Sequence, residues 1–243
     1  MSYIQGFVIP VPVANKEAYR ELALSVAPLF FDYGAQRIVE CWGDDVPHGT
    51  QTDFFRAVNA GKDENVAFSW ISWESKTFCD QAMEKMTADE RMAEPPNNPF
   101  DGKRMIYGGF EPLSEINRSD QSIGYVRGYV APVPSGNRSA FQSMASVMGG
   151  IATDHGALGA NDYWGVDISD GEVTDLKRAV AAKADESVAF GFTSWASKDA
   201  HDAAIPGMQG DDRMPQPGSE MPLDGSRLIV GGFEVLMDGH PSD

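Results

Sequence analysis

The spacing of hydrophobic and polar residues predicts a strand and then a helix at the start of the chain. Residues 3–12 are rich in Val, Ile and Phe and end at prolines, which is typical of a strand that leaves its sheet. After Asn15, which can cap a helix, apolar residues recur three and four positions apart. The pattern predicts a helix that Pro28 kinks or shortens and that Gly34 ends in a left-handed conformation.

The pattern then continues with three more strands and a second long helix. The last strand contains Gly108-Gly109, where a bulge or a close approach of another group to the backbone is expected. The order β-α-β-β-α-β is the ferredoxin-like, split βαβ arrangement. The segments are strands at 36–46, 65–74 and 103–113, a loop at 47–64 around the apolar run FFRAV, and a helix that begins after Ser75.

This arrangement is written twice in the chain. Tyr3 falls on Tyr125, and the same shift aligns motifs along the whole length without a gap until shortly before the last strand. We divide the chain into a first repeat at 1–113, a polar linker at 114–124 and a second repeat at 125–243. The matched residues include Trp42 with Trp164, Arg56 with Arg178, and Val66-Ala67-Phe68 with Val188-Ala189-Phe190.

The duplication has a consequence for the fold. A ferredoxin-like unit carries helices on one face of its sheet only, so the other face needs a cover. A second copy supplies that cover. We therefore expect an α+β protein with two sheets face to face, the helices outside, and an interior lined by side chains of both repeats.

Composition narrows the classes of function. The net charge is −17 and both repeats are acidic, which disfavours nucleic acid and anionic membrane surfaces as partners. The first residues do not have the pattern of a signal peptide. No apolar run reaches the roughly 20 residues that a membrane-spanning helix needs. With only Cys41 and Cys79, we expect a reducing cytoplasm. The four scattered histidines show no metal-binding spacing, and no cofactor motif appears, so no metal and no cofactor are expected.

Several runs of residues resemble a known family, the YbaA-like bacterial family of unknown function. The resemblance covers nearly the whole chain, twice, and is strongest in the first repeat, because Gly165-Val166-Asp167-Ile168 replaces the Gly-Asp-Asp-Val run in the second. The runs are GFVIPVP at 6–12, ECWGDDVP at 40–47, RAV at 56–58, DERM at 89–92 and FDGKRMIYGGFE at 100–111.

The resemblance implies a fold. Such proteins are similar to the dimeric α/β-barrel superfamily, in which two ferredoxin-like units pair into a barrel. The expected structure is therefore an intramolecular dimeric α/β barrel, a fused pseudo-dimer that is either a monomer or pairs further as a homodimer. The superfamily includes cofactor-independent monooxygenases, isomerases and haem proteins, so the fold does not select a function. The resemblance implies no established catalytic residue.

Two pairs of shared residues are candidates for binding a ligand. Arg56 and Arg178 each lie in a short apolar run and could clamp a carboxylate or a phosphate. The favoured alternative is an ion pair with Asp45 or Asp53, and with the matching aspartates of the second repeat. Trp42 and Trp164 could form an aromatic pocket wall, although large aromatic residues in strands are more often core.

The residues that differ between the repeats are a second set of candidates. His155 follows the first helix of the second repeat, where the first repeat has Tyr33. It could stabilise the C-terminus of that helix, or face Asp162 and act as a general base. In that case the first repeat keeps Tyr33 and Glu40, and only one half of the barrel carries out chemistry.

Two functional hypotheses follow. In the first, each half binds or converts a small molecule in a cleft lined by its tryptophan and arginine, either between sheet and helices or at the barrel seam. In the second, the protein is a non-catalytic binding or stress-related module. Polar residues pointing into a cavity and differing between the halves would favour the first hypothesis. An interior filled by aromatic residues would favour the second. Whether the protein is an enzyme is left open.

Overall fold

The computed structural model describes residues 2–92, 98–119, 121–216 and 218–241. Within them, each repeat has four strands and two long helices, and a single helical turn forms in the loop before its third strand. The strands are β1 Tyr3–Pro12, β2 Arg37–Asp45, β3 Glu64–Trp73, β4 Ile106–Asn117, β5 Tyr125–Pro134, β6 Gly159–Asp167, β7 Glu186–Trp195 and β8 Ile229–Gly239. The helices are α1 Lys16–Asp32, α2 Phe54–Ala57, α3 Lys76–Thr87, α4 Arg138–Asp154, α5 Leu176–Ala179 and α6 Lys198–Gln209.

The eight strands form one closed antiparallel barrel. Their order is β1-β3-β2-β8-β5-β7-β6-β4. The pairs β2–β8 and β4–β6 join the two repeats, so each repeat covers the edges that the other would leave open. Closure removes unpaired backbone groups at the sheet edges, which is what a one-sided unit needs. The expected intramolecular α/β barrel is confirmed.

Aromatic rings fill the inside of this barrel. Phe68 and Phe190, matched residues of the two repeats, stack with ring centroids 4.5 Å apart. Trp70 and Phe192 stack at 3.9 Å. Gly6 lies against this layer, because a Cβ there would come within 2.8 Å of the ring of Phe190. The interior is therefore a packed core shared by both repeats.

The four long helices pack on the outside of the barrel and form a second apolar layer. Helix α1 packs against β2 and β8, and α4 packs against β4 and β6. Each of these helices therefore lies over a seam between the repeats. Trp73 and Trp195 are fully buried in this outer layer, one in each repeat.

The ends of α1 agree only in part with the prediction from the sequence. Asn15 directly precedes α1, but its side chain does not cap the helix; it donates to the carbonyl of Pro99 at 2.9 Å. This hydrogen bond holds the loop before the last strand of the first repeat. The residues around Asn15 could not predict it, because Pro99 is 84 positions away in the sequence. Pro28 lies inside α1, which continues to Asp32. The left-handed conformation predicted for Gly34 is present, with φ of +95°.

The last strand of the first repeat is longer than its sequence pattern indicates. Strand β4 runs to Asn117, into the segment predicted as a linker, because its final residues pair with β6. The register shifts between Gly109 and Phe110, which confirms the irregularity expected at the glycine pair. Gly109 also makes room for the hydroxyl of Tyr3, which lies where a side chain would be. No helix in the described part of the chain is long and apolar enough to span a membrane.

Because both repeats contribute to one core, they should unfold together. We expect Phe190→Ala to lower the free energy of unfolding by about 3–5 kcal/mol, since it removes a ring packed against Phe68 of the other repeat. Urea unfolding followed by tryptophan fluorescence and far-ultraviolet circular dichroism should give one coincident transition. Val147→Ala, at a 43% exposed position, is the control and should change stability by about 0.5 kcal/mol or less. Two separate transitions would contradict a shared core.

Candidate functional site

A cavity of about 700 Å³ lies between the sheet of the second repeat and its two long helices. Residues of α4, α6 and strands β5 to β8, together with the described residues 214–216 and 218–228, form its wall. The wall is mostly apolar. It combines the aromatic rings of Phe141 and Trp195 with a group of methionines: Met144, Met148, Met208, Met214 and Met221.

Small residues in the second repeat explain the space. In the first repeat, the ring of Phe30 packs near Trp73, with centroids 6.5 Å apart. The matching residue of the second repeat is Ala152, so the corresponding space beside Trp195 is not filled by a ring. About one turn earlier in the same helix, Gly149 replaces Ala27 and also lines the cavity. The cavity is thus a consequence of divergence between the copies.

A buried carboxyl group lies in the wall of this cavity. Asp162 is on β6, is 8% exposed, and accepts a short hydrogen bond from the hydroxyl of Tyr129 on β5. Strand β7 runs between these two strands, and Gly191 pairs with both residues. A Cβ at Gly191 would lie 2.5 Å from the ring of Tyr129. The glycine therefore allows the tyrosine to cross β7 and reach the carboxyl group.

The first repeat builds a similar pair from different positions. Glu40, the match of Asp162, accepts a hydrogen bond of 2.5 Å from Tyr19. Here the phenol comes from helix α1, whereas in the second repeat it comes from a strand. Ser69 takes the place of Gly191 in the first repeat. Both repeats thus join a carboxyl group to a phenol on the helix-facing side of the sheet, although the tyrosines do not align in sequence.

Burial raises the pKa values of these carboxyl and phenol groups. It raises the pKa of Asp162 to about 6 and that of Glu40 to about 7, against a smaller lowering by the tyrosine hydrogen bonds. The pKa values of Tyr19 and Tyr129 also rise, so both phenols remain protonated donors. Within the described residues, no Lys, Arg or His lies within ion-pair distance of Asp162. Its charge is therefore uncompensated at neutral pH.

The two tryptophans singled out from the sequence are core residues of the outer layer. Trp42 is 6% exposed and lies beneath the ammonium of Lys16, 5.6 Å from its ring centre. Trp164 is similarly buried, with the guanidinium of Arg138 5.4 Å from its ring. Neither lines the cavity. They lie two positions after the carboxyl residues Glu40 and Asp162 on the same strands.

The two arginines hold loops. Arg56 lies 3.5 Å from Asp53 and donates to the carbonyl of Gly49. Arg178 repeats this, 2.9 Å from Asp175. The aspartates also accept the first backbone N–H bonds of α2 and α5 as helix caps. The structure therefore shows the ion pairs that the sequence favoured, and neither arginine reaches the cavity.

Of the two alternatives for His155, the position at the end of the helix is the one observed, and the alternative in which it faces Asp162 is wrong. It lies at the C-terminal end of α4, and its Nε2 is 3.3 Å from Asp211. Tyr33 makes the corresponding contact in the first repeat, donating to Asp89 at 3.0 Å. The two residues perform the same task, which is to connect a helix end to the segment after the second long helix. A local sequence match could not show which of the aspartates each would meet.

Sequence reasoning missed several polar residues of the cavity wall, of which Tyr129 and His201 are two. Tyr129 aligns with Phe7 and appeared to be an ordinary strand residue. His201 is 7% exposed, lines the cavity, and lies 2.8 Å from Asp202. A difference between the two repeats could have indicated His201, because it aligns with Cys79 of the first repeat. No group of three or more potential metal ligands occurs in the part of the chain that the structure describes.

This architecture, a closed barrel of two ferredoxin-like units with helices outside, is that of the dimeric α/β-barrel proteins. The chain belongs to the family described as "Protein of unknown function (DUF1428)", whose model matches residues 2–102 and 124–225. The uncharacterised protein YbaA of Escherichia coli K12 is 56% identical over 114 residues, which are 46% of this chain and 97% of YbaA. The YbaA protein of Shigella flexneri matches to the same extent.

Solved structures with the same fold are distant in sequence. A "putative monooxygenase" of Fusobacterium nucleatum has a TM-score of 0.59 at 9% identity, covering 98% of this chain and 94% of its own. A protein of the same description from Lactobacillus acidophilus has a TM-score of 0.56 at 10% identity, covering 99% and 97%. An anthrone oxidase-like protein has a TM-score of 0.55 at 13% identity, covering 100% and 94%. These likenesses show the fold alone.

The buried carboxyl group makes a testable contribution to stability. The pKa of Asp162 is higher in the folded protein than its ordinary value of 3.8, so the folded state holds the proton more tightly. This contribution is present below about pH 4 and is lost as the pH rises to about 6. We expect Asp162→Asn to raise the free energy of unfolding by about 2–3 kcal/mol at pH 7.5, and the gain should disappear near pH 4.

Paired urea titrations of wild type and variant at the two pH values measure this difference. Glu172→Gln, a change of the same kind at an exposed position, is the control and should show little effect at either pH. A gain or loss for Asp162→Asn that is the same at both pH values would show that the carboxyl group is not held ionised in an unfavourable environment.

Proposed function

We propose that this protein binds a small, largely apolar molecule in the cavity of the second repeat, with the Tyr129–Asp162 pair holding its polar end. The observation that carries the proposal is the buried, ionisable carboxyl group in a mostly apolar wall. Ligand sites commonly combine an apolar pocket with a few convergent polar groups of shifted pKa. Asp162 also lines the cavity, where a ligand could reach it, and a charged carboxyl group in a largely apolar wall is costly unless a partner compensates it.

The packing elsewhere supports this location. The barrel interior is occupied by stacked rings such as Phe68 and Phe190, so it is a core. Arg56 and Arg178 are engaged by their own loops. The proposal thus moves the site from the tryptophan–arginine clefts expected in each half to the space beneath α4 and α6. Binding at this place does not require a subsequent reaction. Only the second repeat would carry the site, in keeping with the difference between the two halves expected from the sequence.

We also infer the setting in which the protein acts. The chain satisfies the barrel pairing internally, so a monomer can carry the complete site. Cys41 and Cys79 are both free and buried thiols, in keeping with a reducing compartment such as the cytoplasm. An acidic surface with net charge −17 supports small-molecule partners over nucleic acid.

Filling the cavity should abolish binding. Ala152→Phe places at this position the residue that the first repeat has there, and its ring would occupy the space beside Trp195. Two probes of similar shape, 4-phenylbutan-1-ol and 4-phenylbutylamine, can be titrated by calorimetry and by ligand-observed NMR. We expect wild type to bind at least one of them, and the variant to bind it about tenfold more weakly or worse.

Val147→Phe is the matched control, because it adds a comparable side chain to the exposed face of the same helix. It should bind the probes as wild type does. Equal binding by Ala152→Phe and wild type would place the probes outside the cavity, and the absence of binding by wild type to either probe would contradict the proposed function.

A further inference from the structure

We propose that the ligand of this cavity is a lipophilic amine, an ammonium cation on an apolar body, whose N–H donates to the free oxygen of Asp162. This inference rests on the proposed function and adds the chemical class of the ligand. The geometry points to it through three features: an unpaired buried carboxylate, the engagement of the neighbouring charged groups elsewhere, and an aromatic and methionine-rich wall.

Asp162 has one oxygen occupied and one available. Its Oδ1 accepts the hydrogen bond from Tyr129, whereas no described residue donates to Oδ2. The side chain is more than nine-tenths buried and lines the cavity. A buried carboxylate with no counter-ion is unfavourable, because burial removes its hydration without replacing it by an opposite charge. A cation entering the cavity would supply both the charge and the missing donor.

The other charged and titratable groups of the wall are already engaged. Arg127 of β5 lies 3.2 Å from Asp45 of the other repeat. His201 of α6 lies 2.8 Å from Asp202. Tyr129 is a neutral donor, because burial and the adjacent carboxylate raise its pKa. None of these groups pairs with Asp162 as a cation, so a cationic ligand would not have to displace a counter-ion of the described residues.

The rest of the wall suits a cation with an apolar body. The aromatic residues Phe141 and Trp195 line the cavity, and aromatic faces attract ammonium groups. The methionines there are flexible and polarisable, which allows them to adapt to alkyl or aryl groups. The net charge of −17 attracts cations to the protein and repels carboxylate ligands. A neutral ligand would instead displace water from Asp162 without compensating its charge.

The same two probes test the inference, since 4-phenylbutylamine and 4-phenylbutan-1-ol differ in little except charge. At pH 7.5 the carboxyl group is ionised, because its pKa of about 6 lies below that pH. In 150 mM salt, we expect wild type to bind the amine at least about tenfold more tightly than the alcohol. Asp162→Asn should lose this preference, whereas Glu172→Gln, which also removes one negative charge, should keep it.

The outcomes separate the inference from the proposed function. If wild type binds the alcohol as tightly as the amine, the cation inference fails and the proposed binding function stands. If Asp162→Asn keeps the full preference for the amine, the carboxylate is not its partner and the inference fails. Amine binding that survives Ala152→Phe would be attraction to the acidic surface and would also overturn it. If wild type binds neither probe, the proposed function itself fails.

Discussion

The pairing of the two repeats into one closed barrel is the constraint on which the rest of the structure depends. A ferredoxin-like sheet has a bare face and two open edges, and the strand pairs β2–β8 and β4–β6 cover both at once. The bare faces then meet in a layer of stacked rings, Phe68 on Phe190 and Trp70 on Phe192. Because aromatic rings pack the interior, the cavity of the second repeat lies outside the barrel, beneath the helices.

Duplication within one chain allowed the two outer layers to diverge. Each repeat keeps a carboxyl group on its second strand, but the phenol that binds it comes from α1 in one case and from β5 in the other. The second repeat replaces Phe30 by Ala152 and Ser69 by Gly191. The first change leaves space beside Trp195, and the second lets Tyr129 reach Asp162. Two identical chains in a symmetric dimer could not differ at these positions from one half to the other.

The sequence was sufficient for the architecture, because the repeat and the one-sided sheet together require a cover. It was also sufficient to mark Glu40 and Asp162 as positions that differ between copies, and both carry the buried carboxyl groups. It could not locate the cavity, which depends on the distance between helix and sheet after packing. The sequence could not indicate Tyr129 for the same reason. Its hydrogen bond to Asp162 depends on a glycine, Gly191, on the neighbouring strand. His155 was misplaced because several aspartates were available, and only the folded chain selects Asp211.

The central claim is that the hollow outer layer of the second repeat is a binding site anchored on Asp162. A crystal structure with a bromine-labelled amine, 4-(4-bromophenyl)butylamine, tests it most directly, because anomalous scattering locates the bromine independently of model bias. The account predicts a bromine peak between α4 and α6 and an ammonium nitrogen about 3 Å from Oδ2 of Asp162. Bromine found only on the acidic surface or at the helices of the first repeat, with an empty cavity beneath α4, would contradict it.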